Sequence, residues 1–186
     1  MVIQVRNVAL LSILAAGALS GCLFSPERKA ALSTPPPIYP EAKNIKQALT
    51  NMIAAYEARD SVGTEAIYDV NYQGTSVDLA DPRPTLTLSR VDERHHVATL
   101  KLDPNIVSVN LNFGPQAAWT RIPPDALDPQ DWAVIQIDQA NIQILDINSG
   151  TTFQAQNNKM TYTFIPTVAA PGDTTWKIRR WEEIRT

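Results

Sequence analysis

Cysteine is almost absent from this chain of 186 residues, which contains only Cys22. One cysteine excludes an intramolecular disulfide and any zinc site built from cysteine pairs. Histidine is nearly as scarce, because the only two, His95 and His96, are adjacent. Neighbouring helical residues point about 100° apart, so this pair cannot chelate a metal as an i, i+4 pair would. We expect no metal site and no cofactor.

An excess of basic residues is also missing. The chain has 16 lysines and arginines against 19 acidic residues, a net charge of -3. Nucleic-acid binding calls for a clustered basic face, and Arg179-Arg180 alone does not make one. The sequence contains no nucleophile elbow, phosphate-binding loop or internal repeat. These absences exclude nucleic acid as a partner and leave no reaction assigned by a motif.

The apolar run at the N-terminus is too short to span a membrane. It extends from Val8 to Ala18, 11 residues, whereas a spanning helix needs roughly 20. Arg6 is the only charge before it. A short positive region followed by an apolar region of about 7 to 15 residues is typical of a secretory signal.

The four residues after this run, Leu19-Ser20-Gly21-Cys22, resemble the lipobox of bacterial prolipoproteins. In that family the cysteine receives a diacylglyceryl group and becomes the new N-terminus, so the resemblance implies acyl chains such as palmitate on Cys22. Two or more acyl chains hold a protein firmly on a bilayer. Leu23 stands where inner-membrane lipoproteins typically carry Asp, which implies the outer membrane facing the periplasm. The alternative is an ordinary secretory signal with a chance cysteine.

Three segments follow from these patterns: a signal peptide at 1–21, a proline-rich tether at 22–40 and one domain at 41–186. The three prolines Pro35 to Pro37 stiffen the tether towards polyproline II. At about 3.1 Å per residue, it could hold the domain up to roughly 55 Å from the bilayer. A proline-rich recognition motif is the alternative interpretation.

The domain begins with helical periodicity. One apolar stripe predicts a first helix that ends near Arg59-Asp60, and a shorter helix is predicted from Thr64 to Val70. A third helix is predicted from Ser89 to Lys101, with Ser89 and Asp92 as an N-cap pair. The stripe of the first helix comprises Ile45, Ala48, Leu49, Met52, Ile53 and Tyr56. The inward face of the third comprises Val91, His95, Ala98 and Leu102.

Strands dominate after Asn105, and Tyr72 to Leu79 is an earlier one. The later predicted strands are Ile106 to Phe113, Trp132 to Ile147 with a bulge at Asp138 to Asn141, Thr151 to Ala155, Asn158 to Ile165, and Thr175 to Ile184. Turns are predicted at Asn148-Ser149-Gly150 and Pro171-Gly172-Asp173. Trp181 lies on the opposite face from Trp176 unless Arg179-Arg180 forms a bulge. The pattern predicts an α+β fold, with two or three N-terminal helices packed on a strongly curved antiparallel sheet.

Three segments carry a family resemblance: Ala48 to Asp60, Ile67-Tyr68-Asp69, and Trp176 to Trp181. They resemble the nuclear-transport-factor-2-like (NTF2-like), or SnoaL-like, cone domains of cystatin-like fold, over residues 41–186. That family includes isomerases, dehydratases, cyclases and proteins without catalysis. The resemblance implies an interior for hydrophobic ligands, where enzymes use a carboxylate or a histidine with tyrosines as proton donors.

The resemblance nominates two candidate catalytic residues, His95 and Asp60. Each also fits a plain structural role, His95 as a solvated residue and Asp60 as a helix end. Glu182 and Glu183 alternate sides of a strand and cannot pair as acid and base. The candidates for lining a pocket, all of which also suit a core, are Tyr56, Tyr68, Trp119, Trp132, Tyr162 and Trp176.

Two functional hypotheses remain at this level. The leading one is a non-catalytic envelope lipoprotein whose cone binds a small apolar ligand or an envelope protein, because no polar constellation emerges from the sequence. The alternative is a membrane-tethered isomerase or hydrolase-like enzyme that acts on a small apolar substrate.

The lipobox resemblance makes a direct prediction about Cys22. Mass spectrometry of the membrane-extracted native protein should find a mature chain that begins at an acylated Cys22. The Cys22→Ala variant should lose the membrane fraction, because the acyl chains supply the attachment. A native protein with an unmodified Cys22 thiol would overturn the prediction.

Overall fold

The structure is a computed structural model that describes residues 39–79, 85–148, 152–170 and 173–185. The predicted signal peptide, Cys22, most of the tether and parts of both predicted turns lie outside the described residues. The described α-helices are α1 (Ile45–Glu57), α2 (Ser61–Ile67) and α3 (Arg90–Leu102). The described strands are β1 (Tyr68–Asp78), β2 (Leu86–Ser89), β3 (Ile106–Asn112), β4 (Thr120–Ile122), β5 (Ala133–Asp146), β6 (Thr152–Ala170) and β7 (Asp173–Arg185).

The strands form one sheet in the order β2-β1-β7-β6-β5-β3, with β4 paired to β5. This confirms the predicted α+β class. The sheet is mixed rather than wholly antiparallel, because β1 and β7 run parallel. Turns fix the direction of consecutive strands only. Since β1 and β7 come from opposite ends of the domain, the sequence pattern carried no signal for their relative direction.

Helix α1 follows its predicted apolar stripe. Ala48, Leu49 and Met52 are buried, and Asn44 caps the N-terminus by accepting a hydrogen bond from the Gln47 backbone N–H at 2.9 Å. The chain leaves the helix through Arg59 at a φ of 53°. Helix α2 then begins at Ser61, three residues earlier than predicted.

Helix α3 begins where the sequence predicted, but it presents a different face to the interior. Ser89 and Asp92 form the expected capping box. Val91 and Leu102, predicted to face inward, are 67% and 82% exposed. The buried residues are instead Glu93 and Val97. The prediction failed because a buried glutamate replaces an apolar residue in the inward stripe, so an apolar pattern selects the wrong side.

Bulges in β5 and β7 shape the part of the sheet that was predicted to be irregular. The register of β5 against β6 shifts between Ile137 and Ile142, which confirms the predicted bulge. On β7, Ile178 pairs with Phe164 and Arg180 with the preceding Thr163, so one extra residue of β7 is left between the two pairs. That insertion reverses the alternation of β7. Trp181 therefore faces the interior, as the bulged alternative predicted.

The core lies between α1 and the inner face of the sheet. Its fully buried members include Leu49, Met52, Ile135, Phe164 and Ile178. The alternation of β3 holds for Val109, Leu111 and Phe113, which are all buried. Val107, two residues before Val109, is 50% exposed and does not continue this alternation, because the register of β3 shifts between Ile106 and Ser108.

The capping box of α3 predicts a stability effect. Ser89→Ala removes the side-chain acceptor for the Asp92 backbone N–H, and the loss of such a cap costs about 1 kcal/mol. Urea denaturation should show this decrease in the free energy of unfolding. Ser108→Ala, at an exposed position of β3, is the matched control and should change the free energy much less. Equal effects of the two substitutions would contradict the role of the cap.

Candidate functional site

A cavity of about 320 Å³ lies between the helices and the inner face of the sheet. Its volume falls at the lower end of the range for small-molecule sites, roughly 300 to 1,000 Å³. Most of its wall is apolar, and two groups of polar side chains interrupt it. The apolar lining includes Leu88, Leu100, Val109, Leu111, Ile142 and Ile144.

The first polar group, here called the tyrosine–glutamate cluster, comprises Tyr56, Tyr68, Tyr72 and Glu93. Glu93 projects from α3 and is 3% exposed. The Tyr72 hydroxyl donates to Glu93 Oε1 at 2.8 Å, and the Tyr56 hydroxyl donates to Glu93 Oε2. The Tyr68 ring packs against Tyr72 with 4.1 Å between ring centroids. One carboxyl group is thus held at both oxygens by phenols from α1 and β1.

The electrostatics of this cluster follow from its burial. Burial raises the pKa of Glu93, and the hydrogen bonds from Tyr56 and Tyr72 only partly oppose that shift. Burial together with the neighbouring phenols and Glu93 also raises the pKa of Tyr56 and Tyr72. The tyrosines therefore stay protonated donors. A carboxyl group with a raised pKa holds a proton more readily, so it can both accept a proton from a substrate and return it.

The second polar group, here called the serine–arginine cluster, comprises Ser76, Asn158, Glu183 and Arg185. The Ser76 hydroxyl donates to Glu183 Oε2 at 2.6 Å, and Asn158 Nδ2 donates to Glu183 Oε1 at 2.5 Å. Arg185 Nη2 donates to Ser76 Oγ at 2.9 Å. Glu183 is 7% exposed, and Arg185 compensates its charge with Nε at 3.5 Å.

Gly74 separates the two polar groups on β1. A Cβ placed there would lie 2.6 Å from the Tyr72 hydroxyl and 2.9 Å from Trp181 Cε3. The first contact would displace the hydroxyl that holds Glu93. A residue without a side chain is therefore needed between the clusters.

The candidate catalytic residues predicted from the sequence lie away from this cavity. Asp60 caps α2 by accepting from the Gly63 backbone N–H at 3.0 Å, and the Tyr39 hydroxyl donates to it at 3.2 Å. Burial and this carboxylate raise the pKa of Tyr39 to about 12. His95 and His96 are both exposed on α3, and His96 also lies at the edge of the cavity lining.

The aromatic candidates divide into two sets. Tyr56, Tyr68 and Tyr162 line the cavity. The three candidate tryptophans lie outside this cavity. Trp119 Nε1 donates to the Phe113 carbonyl at 2.8 Å, and the Trp132 ring lies 6.0 Å from the guanidinium of Arg179. Trp176 lines a second cavity, also of about 320 Å³, beside Tyr39 and Lys177.

Sequence reasoning missed Glu93, and the inference that the chain lacks a polar constellation was wrong. A signal was nevertheless present, because Glu93, Val97 and Leu100 have the i, i+4, i+7 spacing of one helix face. Glu93 would have been recognised only by allowing a charged residue in an inward position.

Neither a metal centre nor a membrane span is found in the described ranges. No group of three or more His, Cys, Asp or Glu side chains there could hold a metal ion. Among residues 39–79, 85–148, 152–170 and 173–185, no helix has the length and apolar character to cross a membrane.

Comparison with known proteins gives the fold its name. No protein-family model matches the sequence, and no curated protein matches it significantly. Solved structures do match. An NTF2-like protein with a cystatin-like fold from Novosphingobium aromaticivorans is 16% identical, with a TM-score of 0.50 over 76% of this chain and 79% of that one. The described domain has the NTF2-like fold.

Two further structures similar to this NTF2-like domain support the same conclusion. A proposed scytalone dehydratase from Novosphingobium aromaticivorans is 10% identical, with a TM-score of 0.56 over 76% of this chain and 81% of that one. An NTF2-like superfamily protein from Salmonella enterica is also 10% identical, with a TM-score of 0.52 over 75% and 86%. At these identities the similarity establishes the fold of the domain.

The raised pKa of Glu93 predicts a pH-dependent stability. Because the folded state favours the protonated carboxyl, stability is present below the ordinary pKa of 4.5 and is lost as the pH rises through the raised value. Across that window the Glu93→Gln variant should gain stability relative to the native chain. The gain should be about 1.4 kcal/mol for each unit of pKa shift.

Denaturant unfolding of both proteins from pH 4 to pH 9 measures this difference. Asp131→Asn, at an exposed position, is the control for loss of a surface charge and should give a nearly constant offset. A constant offset for Glu93→Gln as well would show that Glu93 titrates normally.

Proposed function

We propose that the NTF2-like domain binds a small, largely apolar carbonyl or hydroxyl compound and moves a proton on it, as an isomerase or dehydratase does. The observation that carries this proposal is Glu93, a buried carboxyl group fixed by two tyrosine hydroxyls at the wall of an apolar cavity. Perturbed carboxyl groups of this kind are candidates for acid–base chemistry.

The chemistry requires three events. The Glu93 carboxylate takes a proton from the carbon next to a substrate carbonyl, and the electron pair of that C–H bond moves to the carbonyl oxygen. Because Tyr56 and Tyr72 donate their hydroxyl protons to Glu93, Tyr68, which also lines the cavity, is the donor that stabilises the developing negative charge. Protonated Glu93 then returns the proton, either to another carbon in an isomerisation or to a departing hydroxyl group in a dehydration.

The surroundings of Glu93 favour this reaction. Apolar residues around the cavity exclude water and strengthen the electrostatic interactions inside it. The reaction class also matches the name of one structural neighbour, the proposed scytalone dehydratase. In this proposal Glu93 has the acid–base role that the sequence suggested for His95 or Asp60. His95 and Asp60 both lie away from the cavity.

A second candidate function is ligand binding without turnover. It is favoured by the hydrogen bonds that already occupy both carboxyl oxygens of Glu93, since a carboxyl fixed in this way can serve as a rigid acceptor. The same small apolar ligand would then be held but not converted.

The location of the domain is part of the proposal. We infer that an acylated Cys22 anchors the protein in the cell envelope, at the outer membrane facing the periplasm. The lipobox-like Leu19-Ser20-Gly21-Cys22 and Leu23 support this location. An apolar substrate that partitions into the bilayer would then be concentrated near the cavity, since apolar molecules leave water for hydrocarbon.

Deuterium exchange tests the proton-transfer step. With 4-phenylcyclohexanone in D₂O, the native domain should accelerate exchange of the protons next to the carbonyl, followed by NMR. Glu93→Gln should slow the catalysed exchange by at least about 100-fold, the usual contribution of one acid–base group. NMR titration should show that this variant still binds the ketone.

His95→Ala, on the exposed side of α3, is the matched control and should exchange at the native rate. Binding of the ketone without accelerated exchange would favour the non-catalytic function. If the native domain neither binds the ketone nor exchanges its protons, the proposal fails.

A further inference from the structure

We infer that the ligand of this cavity has two polar ends: a carbonyl or hydroxyl at the tyrosine–glutamate cluster and a second, uncharged hydrogen-bonding group at the serine–arginine cluster. This inference rests on the proposed function and deepens it by naming the substrate class. It follows from the positions of the two clusters along one strand.

The spacing of the clusters is set by β1. Tyr72, Gly74 and Ser76 are all buried on the same face of this strand. Tyr72 bonds to Glu93, and Ser76 bonds to Glu183. The Tyr72 side chain leans along β1, since its hydroxyl lies over Gly74. Two residues at about 3.3 Å each therefore leave about 7 Å along the strand between this hydroxyl and Ser76. The clusters therefore occupy separate positions along the cavity.

Two rows of paired residues, which run across β2, β1 and β7, form the floor of the cavity. In the inner row, Gly74 pairs with Leu88 on one side and with Trp181 on the other. Adjacent strands present such directly paired residues on the same face of a sheet. The Tyr72 phenol covers Gly74, and beside it the broad indole of Trp181 gives the cavity a flat, apolar surface. A ring system suits this middle section.

The outer row contains the second polar end. Ser76 pairs with Leu86 and with Glu183. Leu86 is 51% exposed, and the Arg185 side chain is 41% exposed, while both line the cavity. The serine–arginine cluster therefore lies towards solvent, and the buried tyrosine–glutamate cluster lies deeper.

The charges of the outer cluster select an uncharged group. Arg185 and Glu183 offset each other, so a ligand carboxylate would meet the buried Glu183, and a ligand cation would meet Arg185. A hydroxyl can donate to a carboxylate and accept from a guanidinium at once. The Arg185 side chain is 41% exposed and lines the cavity, so its guanidinium can still donate to a ligand.

Matched ketones test the second end. The probes are 4-phenylcyclohexanone, 4-(4-hydroxyphenyl)cyclohexanone and 4-(4-oxocyclohexyl)benzoic acid, here called the parent, the phenol and the carboxylate. Calorimetry measures the affinity of each. The native domain should bind the phenol about tenfold more tightly than the parent ketone, the effect of one good hydrogen bond. The carboxylate should bind no more tightly than the parent.

The ratio of the two dissociation constants isolates the outer cluster, because general changes in the cavity cancel. Arg185→Met and Ser76→Ala should each reduce the tenfold preference for the phenol to nearly one. Arg121→Met, at an exposed position of β4, is the matched control and should keep it. If Arg185→Met does not fold, Ser76→Ala decides, since it removes only one oxygen.

The outcomes separate this inference from the proposed function. Equal binding of phenol and parent, with exchange intact, overturns the two-ended ligand and leaves the proton-transfer proposal standing. Tightest binding of the carboxylate overturns the uncharged outer end. A phenol preference without accelerated exchange supports the two-ended ligand and overturns catalysis. If none of the three ketones binds, both proposals fail.

Discussion

The burial of Glu93 is the constraint on which the arrangement of helices and sheet depends. A carboxyl group removed from water is costly unless it is hydrogen-bonded, and its two donors come from different elements, Tyr56 on α1 and Tyr72 on β1. Helix α3 can therefore turn this face inward only when α1 and β1 are both in place. The capping box at Ser89 fixes where α3 begins and hence which residues face inward.

The bulge near Arg179 has a comparable effect on the other wall of the cavity. Without the extra residue, the strict alternation of β7 would turn Trp181 and Glu183 outward. With it, Trp181 pairs with Tyr162 and Glu183 with Met160, two residues buried on the inner face. The inserted residue thus turns both Trp181, in the floor of the cavity, and Glu183, in the outer polar group, to the inner face of the sheet.

The sequence was informative where apolar periodicity matches the structure and uninformative where it does not. The stripe of α1, the cap of α3 and the bulge of β5 all carry local signals. The parallel pairing of β1 with β7 has no local signal, because it joins distant segments. Glu93 was missed for a different reason: the apolar residues Val91 and Leu102 on the outside of α3 outweighed a charged residue on the inside.

An apolar residue at position 93 would extend the face formed by Val97 and Leu100 without any desolvation cost. Stability therefore gives no reason for a glutamate there, and natural proteins retain such costly groups mainly at functional sites. The three surrounding tyrosines strengthen this argument, since each contributes a hydroxyl that must also be satisfied in the interior. Glu183 at the outer end is a second buried carboxyl group. Hydrogen bonds from Ser76 and Asn158 and the positive charge of Arg185 offset the cost of its burial. Two separately compensated carboxyl groups in one apolar cavity are best explained by a ligand that uses both ends.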